Sequence, residues 1–151
     1  MKSIYFSILL LTVLGCASEK DMTSKKELSE TSSGKQNNRI KAILGEKKTI
    51  SAPIQISGVA IEGNTMLIDV SYSGGCGEHS FEMIGSLMMA KSLPPIRTVH
   101  LIHITTEDKC KKLIMTQIKV DISDLAFKKE KGSEIYLALD GWGEKIKYVF
   151  E

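Results

Sequence analysis

The chain has 151 residues, with 20 lysines and arginines, 18 aspartates and glutamates, and a formal net charge of +2. Its charge is close to balanced and no run of basic residues is interleaved with aromatics. This argues against nucleic-acid binding, which depends on clustered cationic contacts to phosphate. The length is enough for one domain with its own hydrophobic core.

The first predicted element is a short apolar segment that ends at a cysteine. Lys2 gives it a positive start, and residues 4–14 are apolar except for Ser7 and Thr12. A helix that spans a membrane needs ~20 apolar residues, so this segment is too short to span. It has the length of the apolar part of a signal peptide. We therefore predict a signal peptide at residues 1–15.

The cysteine itself predicts where the chain is held. The tetrapeptide Val13-Leu14-Gly15-Cys16 resembles the lipobox of bacterial lipoproteins, although the usual lipobox has Leu and a small residue where this chain has Val13 and Leu14. The resemblance implies cleavage before Cys16 and attachment of palmitate or similar acyl chains, each buried methylene contributing ~0.8 kcal/mol to membrane binding. An ordinary secretory signal with an incidental cysteine is the alternative. We expect a lipid-anchored chain in the bacterial cell envelope, with the outer membrane favoured and the domain in the periplasm or at the surface.

A polar tether is predicted to follow the cysteine. Residues 16–39 are mostly Ser, Thr, Lys, Glu, Gly, Gln and Asn, and Met22 and Leu28 are their only sizeable apolar groups. Such a composition does not bury enough surface to offset the entropy lost on ordering. As a flexible coil the tether reaches on the order of 25 Å. Residues 40–151 are then expected to form a single β domain.

The domain sequence predicts strands. Alternate positions of residues 66–72 are apolar, and the turn Gly63-Asn64 precedes them, which is typical of a hairpin. Residues 123–129 are expected to form one helical turn that packs Leu125 and Phe127 inward. About seven short strands favour an antiparallel β-sandwich, with a small partly open β-barrel as the alternative. The predicted strands are residues 54–61, 66–72, 80–89, 98–106, 115–122, 134–140 and 145–150.

The densest group of chemically capable residues is at positions 72–81, Tyr-Ser-Gly-Gly-Cys-Gly-Glu-His-Ser-Phe. Its cysteine, Cys76, is expected to form a disulfide with Cys110, because Cys16 is expected to carry lipid and the envelope is oxidising. Both cysteines are predicted in turns at strand ends. A bridge that closes ~34 residues stabilises a fold by ~3–4 kcal/mol. We favour a structural disulfide between Cys76 and Cys110.

A metal site is the principal alternative. Zinc and copper prefer thiolate and imidazole ligands. The chain offers such ligands at Cys76, His79 and Cys110, together with either His100 or His103. Residues three apart on a strand point to opposite faces, so only one of His100 and His103 can join the set. If the disulfide forms, the thiolates are not available to a metal.

Catalysis has weaker support. Redox chemistry at Cys76 would need a helix start that the sequence lacks. An enzyme with Glu78 and His79 as an acid–base pair is a further alternative, but the chain has no hydrolase, metalloprotease, phosphate-loop or dinucleotide motif. We expect no catalysis and no cofactor. We expect instead a binding or interaction module whose partner is an unknown envelope protein or glycan.

The same segment carries a family resemblance. Residues 73–81 have the pattern Ser-Gly-Gly-Cys-x-x-His-x-Phe, and a later acidic loop at residues 105–110 contains the second cysteine. The pattern resembles small, largely uncharacterised bacterial lipoproteins, similar to the C-terminal β domains of NigD-like lipoproteins. The resemblance covers roughly residues 54–150 and implies a lipid-anchored β domain without an established catalytic activity. It assigns no functional residue to this chain.

Overall fold

The computed structural model of the chain describes residues 38–106 and 108–151. The predicted signal peptide, the lipid site Cys16 and the predicted tether up to residue 37 lie outside the described residues. Among the residues that are described, there is no helix with the length and apolar character needed to traverse a membrane.

The described part of the chain consists of strands and one short 3₁₀ turn at Ser123–Leu125. The strands are β1 (Arg39–Gly45), β2 (Gln55–Glu62), β3 (Thr65–Gly74), β4 (His79–Ala90), β5 (Ile96–Thr105), β6 (Lys112–Asp121), β7 (Glu134–Leu139) and β8 (Lys145–Val149).

Alternating burial explains why these segments are strands. In β3 every second side chain from Met66 to Tyr72 is buried, while Asp69 between them is exposed. In β7 the buried side chains are Ile135, Leu137 and Leu139. A period of two places one apolar row on a single face of the sheet, where it packs into a common core.

All eight strands belong to one sheet with the order β2-β3-β6-β1-β4-β5-β7-β8. Most neighbours are antiparallel, but β1 runs parallel to both β4 and β6, and β5 runs parallel to β7. The all-β class predicted from the sequence is confirmed. Strand β1 is an addition to the seven segments that the sequence predicts, and it joins the β2-β3-β6 half to the β4-β5-β7-β8 half.

The two edges of the sheet approach each other. The side-chain amide of Asn64, in the β2–β3 turn, donates to the carbonyl of Glu151 at 2.8 Å. The hydroxyl of Tyr148 in β8 donates to the Asn64 side-chain oxygen at 2.7 Å. The sheet therefore curls back on itself, as in the partly open barrel that the sequence offers as its alternative.

The interior is one hydrophobic cluster with few polar members. Leu125 in the 3₁₀ turn is fully buried and packs closely over Gly85, as expected. The expectation for Phe127 is wrong, because 46% of this residue is exposed. Among the described residues the buried polar side chains are Arg97 and His103, both on β5. Arg97 lies near the start of β5 and His103 near its end, so the two buried polar side chains lie at opposite ends of this strand.

Candidate functional site

Strands β3, β4 and β5 bring an aromatic and imidazole cluster together at one end of the core. Tyr72 ends the apolar row of β3, His79 begins β4, and His103 lies near the end of β5. The Tyr72 ring centroid is 4.7 Å from that of His79 and 4.6 Å from that of His103. Phe81 is the register partner of His103 and stacks on it with an interplanar angle of 12°. His103 is thereby held between Tyr72 and Phe81.

A single carboxylate organises the glycine-rich loop beside this cluster. Oδ2 of Asp108 accepts hydrogen bonds from the backbone N–H groups of Gly75 (2.8 Å), Cys76 (3.1 Å) and Gly77 (2.9 Å). Oδ1 accepts the backbone N–H of Cys110 at 2.8 Å. The bonds from Gly77 and Cys110, in that order, do most to hold the pKa of Asp108 well below its usual range. Asp108 is therefore ionised and acts only as an acceptor.

Glycine is required in this loop for two separate reasons. A Cβ atom at Gly74 would lie 2.6 Å from Nε2 of His79, which is too close for any side chain. Gly75 has φ of +115°, a backbone conformation that other residues rarely adopt. The glycines let the loop turn its N–H groups toward Asp108 and let His79 approach the backbone.

The disulfide joins the same two loops. The structure contains the bridge between Cys76 and Cys110 that the sequence favours, with a Cα–Cα distance of 5.7 Å. This distance lies within the usual range for disulfides. The bridge and the Asp108 hydrogen bonds link residues 74–79 to Thr106 and residues 108–110. We call these two segments together the clamped loops.

The two histidines form a chain that ends at Asp108. Nε2 of His79 lies 2.9 Å from Oδ2 of Asp108, and Nδ1 of His79 lies 2.9 Å from Nε2 of His103. Because the carboxylate only accepts, His79 carries a proton on Nε2. In the contact between the two imidazoles, one of the facing nitrogens donates and the other accepts, and the tautomers set the direction.

His103 is favoured in its neutral form. Burial lowers the pKa of His103, and the neighbouring His79 lowers it further. The backbone carbonyls of Pro53 and Ala52 face the ring and raise the pKa of His103, because a carbonyl favours a protonated ring nitrogen. The residue is 1% exposed, and Nδ1 has no hydrogen-bond partner within the described part of the chain. A buried polar atom without a partner is unusual in a folded protein.

A cavity of about 510 Å³ borders His103. One wall is the segment that precedes β2, where Ala52 donates its N–H to the His103 carbonyl at 2.8 Å. The other wall is the second clamped loop and the start of the chain beyond it. The residues around the cavity are Ala52, Pro53, Ser73, His103, Thr105, Asp108, Lys109, Cys110 and Lys111.

The structure brings together most of the residues of the alternative metal site. Asp108 is hydrogen-bonded directly to Cys76, His79 and Cys110. His103 is next to it, in contact with His79. The thiols are joined in the disulfide, however, and zinc binds cysteine as thiolate. His79 and His103 use the facing nitrogens to bind each other.

His100 and Glu78 are outside this cluster. Nδ1 of His100 lies 3.2 Å from a carboxylate oxygen of Asp140, far along β5 from the clamped loops. The prediction that His100 and His103 point apart therefore agrees with their positions. Glu78 is exposed, and its backbone N–H donates to the Thr106 hydroxyl at 3.1 Å. The ring nitrogens of His79 face Asp108 and His103, so the predicted Glu78–His79 pair is replaced by an Asp108–His79 pair.

Sequence reasoning missed Asp108, the residue that holds the site together. It appears in the sequence only as part of an acidic loop. One local signal was present, because Asp two residues before Cys110 matches the turn in which an Asp side chain accepts the N–H of residue i+2. Its contacts with Gly75 and Gly77 arise only when the two loops meet.

Comparison with known proteins finds structures with a similar fold but does not assign the chain to a family. No family model matches the chain, and no curated protein is significantly similar to it. A NigD-like immunity protein from Bacteroides caccae is similar in structure, with a TM-score of 0.50 and 14% identity over 65% of this chain and 50% of its own. The likeness to this protein supports the fold that the sequence resemblance implies.

Two other solved structures have slightly lower TM-scores. A protein of unknown function, DUF1344, from Bacteroides vulgatus has a TM-score of 0.48 and 12% identity, over 74% of this chain and 55% of its own. A putative toxin-related protein from Parabacteroides distasonis has a TM-score of 0.48 and 15% identity, over 73% of this chain and 60% of its own. The chain thus spans between 50% and 60% of the length of the three structures.

Proposed function

We propose that this chain is a lipid-anchored protein of the bacterial envelope whose β domain is a binding module without catalytic activity. The anchor is supported by the apolar leader and by Cys16 in its lipobox-like setting. The binding role is carried by one observation, the cavity of about 510 Å³ beside the buried and unpartnered Nδ1 of His103. Cavities with a few convergent polar groups are the usual form of a ligand site.

The surroundings of the cavity favour binding over chemistry. The disulfide and the Asp108 hydrogen bonds hold the clamped loops in place before any ligand arrives. A preformed site loses little conformational entropy on binding. Asp108 and His79 are engaged in positioning His103. Among the hydrogen bonds of the described residues, the Ser51 hydroxyl accepts the backbone N–H of His103 at 3.1 Å, and no serine, threonine or thiol is bonded to its ring nitrogens. The partner is an envelope protein or a glycan.

The anchor is tested by expression in a bacterium, fractionation and mass spectrometry of the N-terminal peptide. We expect the wild-type chain in the membrane fraction with acyl groups on Cys16. The variant Cys16→Ser is expected in the soluble fraction, and Ser18→Ala is the matched control that stays membrane-bound. A Cys16→Ser chain that remains in the membrane fraction would contradict the anchor.

The binding role is tested by photo-crosslinking in intact cells. A photoreactive residue in place of Lys109, at the cavity, is expected to give adducts, and the same residue in place of Lys131 is the control. A second substitution, Ala52→Trp, fills the cavity and is expected to abolish the adducts from position 109. Adducts that persist in the filled variant, or an absence of adducts at position 109, would contradict a binding role for this cavity.

Metal binding is a second candidate, favoured by one specific observation. Potential ligand atoms of Cys76, Asp108 and Cys110 lie within 4.8 Å of one another, and this set becomes a donor group once the disulfide is reduced. Free thiols and bound metal are measured together on the purified protein. Two titratable thiols with about one equivalent of zinc or copper would favour this candidate. The absence of both would exclude it.

A further inference from the structure

We propose that one end of the sheet docks on an anionic lipid surface through exposed apolar side chains around the β4–β5 hairpin. We call this group the hairpin tip, and its members are Leu44, Leu87, Met88, Leu93 and Phe127. The tip lies at the end of β5 opposite His103, so this role is separate from the cavity. It rests on the proposed function only for a location near a membrane.

The hairpin carries apolar side chains that the fold leaves uncovered. Leu87 is 62% exposed, Met88 is 80% exposed and Leu93 is 100% exposed. Leu87 and Met88 lie where the pairing of β4 with β5 is irregular, between Gly85 and Met89, so they leave the regular ladder of the sheet. Leu93 lies in the turn that joins the two strands. Exposed apolar groups that lie together mark an interaction surface.

Two further apolar side chains continue the tip toward the 3₁₀ turn. Leu44 of β1 and the buried Leu125 both lie against Gly85 in β4. Phe127 follows Leu125 by two residues, and 46% of it is exposed. The tip is therefore built from β1, from the hairpin and from the segment after the 3₁₀ turn, which all meet at the same end of the sheet.

Cations border the apolar side chains of the tip. Lys91 lies in the turn between Met88 and Leu93, and the ammonium group of Lys128 lies 5.9 Å from the ring centroid of Phe127. Neither lysine is in an ion pair with a carboxylate among the described residues. A lysine side chain can lie along apolar groups while its ammonium reaches a phosphate. Apolar groups beside unpaired cations match the headgroup region of an anionic membrane.

The shape of the tip favours a lipid surface over a protein partner. A protein would have to supply a pocket complementary to a projecting hairpin, whereas a fluid headgroup region adapts to it. The other exposed apolar pair differs in this respect. Leu113 and Met115 lie along the face of β6, in register with Ser73 and Ser71 of β3. They belong to no projecting turn, and so they provide a matched control.

The predicted tether is long enough for this contact. β1 begins at Arg39, where the predicted tether ends, and Gly45 at its other end pairs with Ser86 beside the tip. Seven strand residues span about 23 Å, and a tether at residues 16–39 reaches on the order of 25 Å. A lipid on Cys16 and the tip can therefore contact the same membrane.

The first experiment measures the depth of a nitroxide label in vesicles of phosphatidylethanolamine and phosphatidylglycerol. The substitutions Met88→Cys and Met115→Cys are made separately in the full-length Cys16→Ser chain, where the other two cysteines form the disulfide. The label at position 88 is expected to be shielded from a water-soluble relaxation agent when vesicles are added, and the label at position 115 is expected to stay accessible. Equal accessibility at the two positions, or shielding at position 115 alone, would overturn the proposal.

The second experiment measures vesicle binding of variants in the same chain. Replacing Leu87, Met88 and Leu93 together by Ser is expected to weaken binding about tenfold or more, because the apolar area buried in the membrane is lost. The control Leu113→Ser with Met115→Ser is expected to bind like the parent chain. All five positions are exposed, so these variants keep the core intact. Equal binding by the tip and control variants would contradict docking through the tip.

The charge of the lipid is tested with the lysines. Lys91→Gln with Lys128→Gln is expected to weaken binding to the anionic vesicles about tenfold and to leave binding to neutral phosphatidylcholine vesicles unchanged. No loss on the anionic vesicles would refute the anionic partner. These chains carry no acyl group on residue 16, so the outcome does not depend on lipidation. A fractionation result that contradicts the anchor would leave docking through the tip standing, and the reverse also holds.

Discussion

The two ends of β5 hold the two buried polar side chains of the described structure, and they differ in one respect. Arg97, which is 4% exposed, donates from Nε to the Leu125 carbonyl at 3.1 Å, from Nη1 to the Ser86 carbonyl, and from Nη2 to the sulfur of Met89 at 3.2 Å. His103, which is 1% exposed, is paired at Nε2 and unpartnered at Nδ1.

The difference separates a polar group whose hydrogen bonds are all made within the fold from one that keeps an unsatisfied atom. Arg97 ties the 3₁₀ turn and the end of β4 to β5, and each of its nitrogens has a partner. Burial lowers its pKa, and the carbonyl groups around it compensate part of the lost hydration. His103 is equally buried, but its Nδ1 has no hydrogen-bond partner among the described residues, and the residue borders a cavity. Burial alone therefore does not distinguish the two side chains, whereas the unsatisfied nitrogen beside a cavity does.

The largest expected effect comes from removing the disulfide. The double substitution Cys76→Ser with Cys110→Ser should lower the free energy of unfolding by about 4 kcal/mol, because the open chain gains the entropy of an unconstrained loop. Urea unfolding measures the loss. Amide hydrogen exchange should accelerate at the clamped loops and stay slow around Arg97. Equal acceleration at both ends would contradict the separation of the two regions.

Replacing the buried Arg97 should lower the free energy of unfolding by somewhat less than the loss of the disulfide. Arg97→Met is expected to lower the free energy of unfolding by about 3 kcal/mol, since it leaves the Leu125 and Ser86 carbonyls buried without donors. The exposed Arg39 supplies the control, with Arg39→Met expected within about 0.5 kcal/mol of wild type. Urea denaturation of the two variants side by side is the measurement. Equal losses would mean that Arg97 has no structural role.

Acidification should lower the stability of the clamped loops through Asp108. The folded-state pKa of Asp108 lies below that of the unfolded chain, about 3.9, so its stabilisation is complete above that pH and is lost as the pH falls below it. Between about pH 6 and pH 3 the wild-type chain should lose more stability than Asp108→Asn, which cannot ionise at this position. Urea midpoints at both pH values measure the difference. Parallel losses in the two chains would show that Asp108 does not carry this pH dependence.

The smallest effect is expected at His103. His103→Phe should cost only about 1 kcal/mol, because a phenyl ring keeps the stack on Phe81 and removes the unsatisfied nitrogen, while His79 loses one bond. Thermal or urea unfolding detects a change of this size. A loss as large as that of Arg97→Met would place His103 with the structural polar groups and would weaken the case for a ligand.

Local patterns in the sequence were enough to predict most of the strands and the two alternatives for Cys76 and Cys110, a disulfide and a metal site. Alternation at residues 66–72 marks β3, and the odd spacing of His100 and His103 separates them to two faces. Both follow from the period of two along a strand, which needs no knowledge of the neighbours.

Other features depend on partners that are distant in the chain. The segment Arg39–Gly45 becomes a strand because it fits between β4 and β6 and adds parallel bonds to both. Only Ala42 in it is fully buried, so its own sequence has a weak pattern. The closure through Asn64 and Tyr148 likewise joins residues that are separated by 84 positions. Periodicity within a window does not report such contacts.

Sequence alone was enough for the class of the domain, for a preference for the Cys76–Cys110 disulfide over a metal site, and for the expectation of a lipid anchor at Cys16, because each depends on local order, composition or the number of cysteines. The tertiary structure was needed to show that Asp108 binds the glycine-rich loop, that the rings of His79 and His103 lie within hydrogen-bond distance, and that Nδ1 of His103 has no hydrogen-bond partner among the described residues. Those facts depend on where three strands and two loops end in space, and no stretch of the chain contains that information locally.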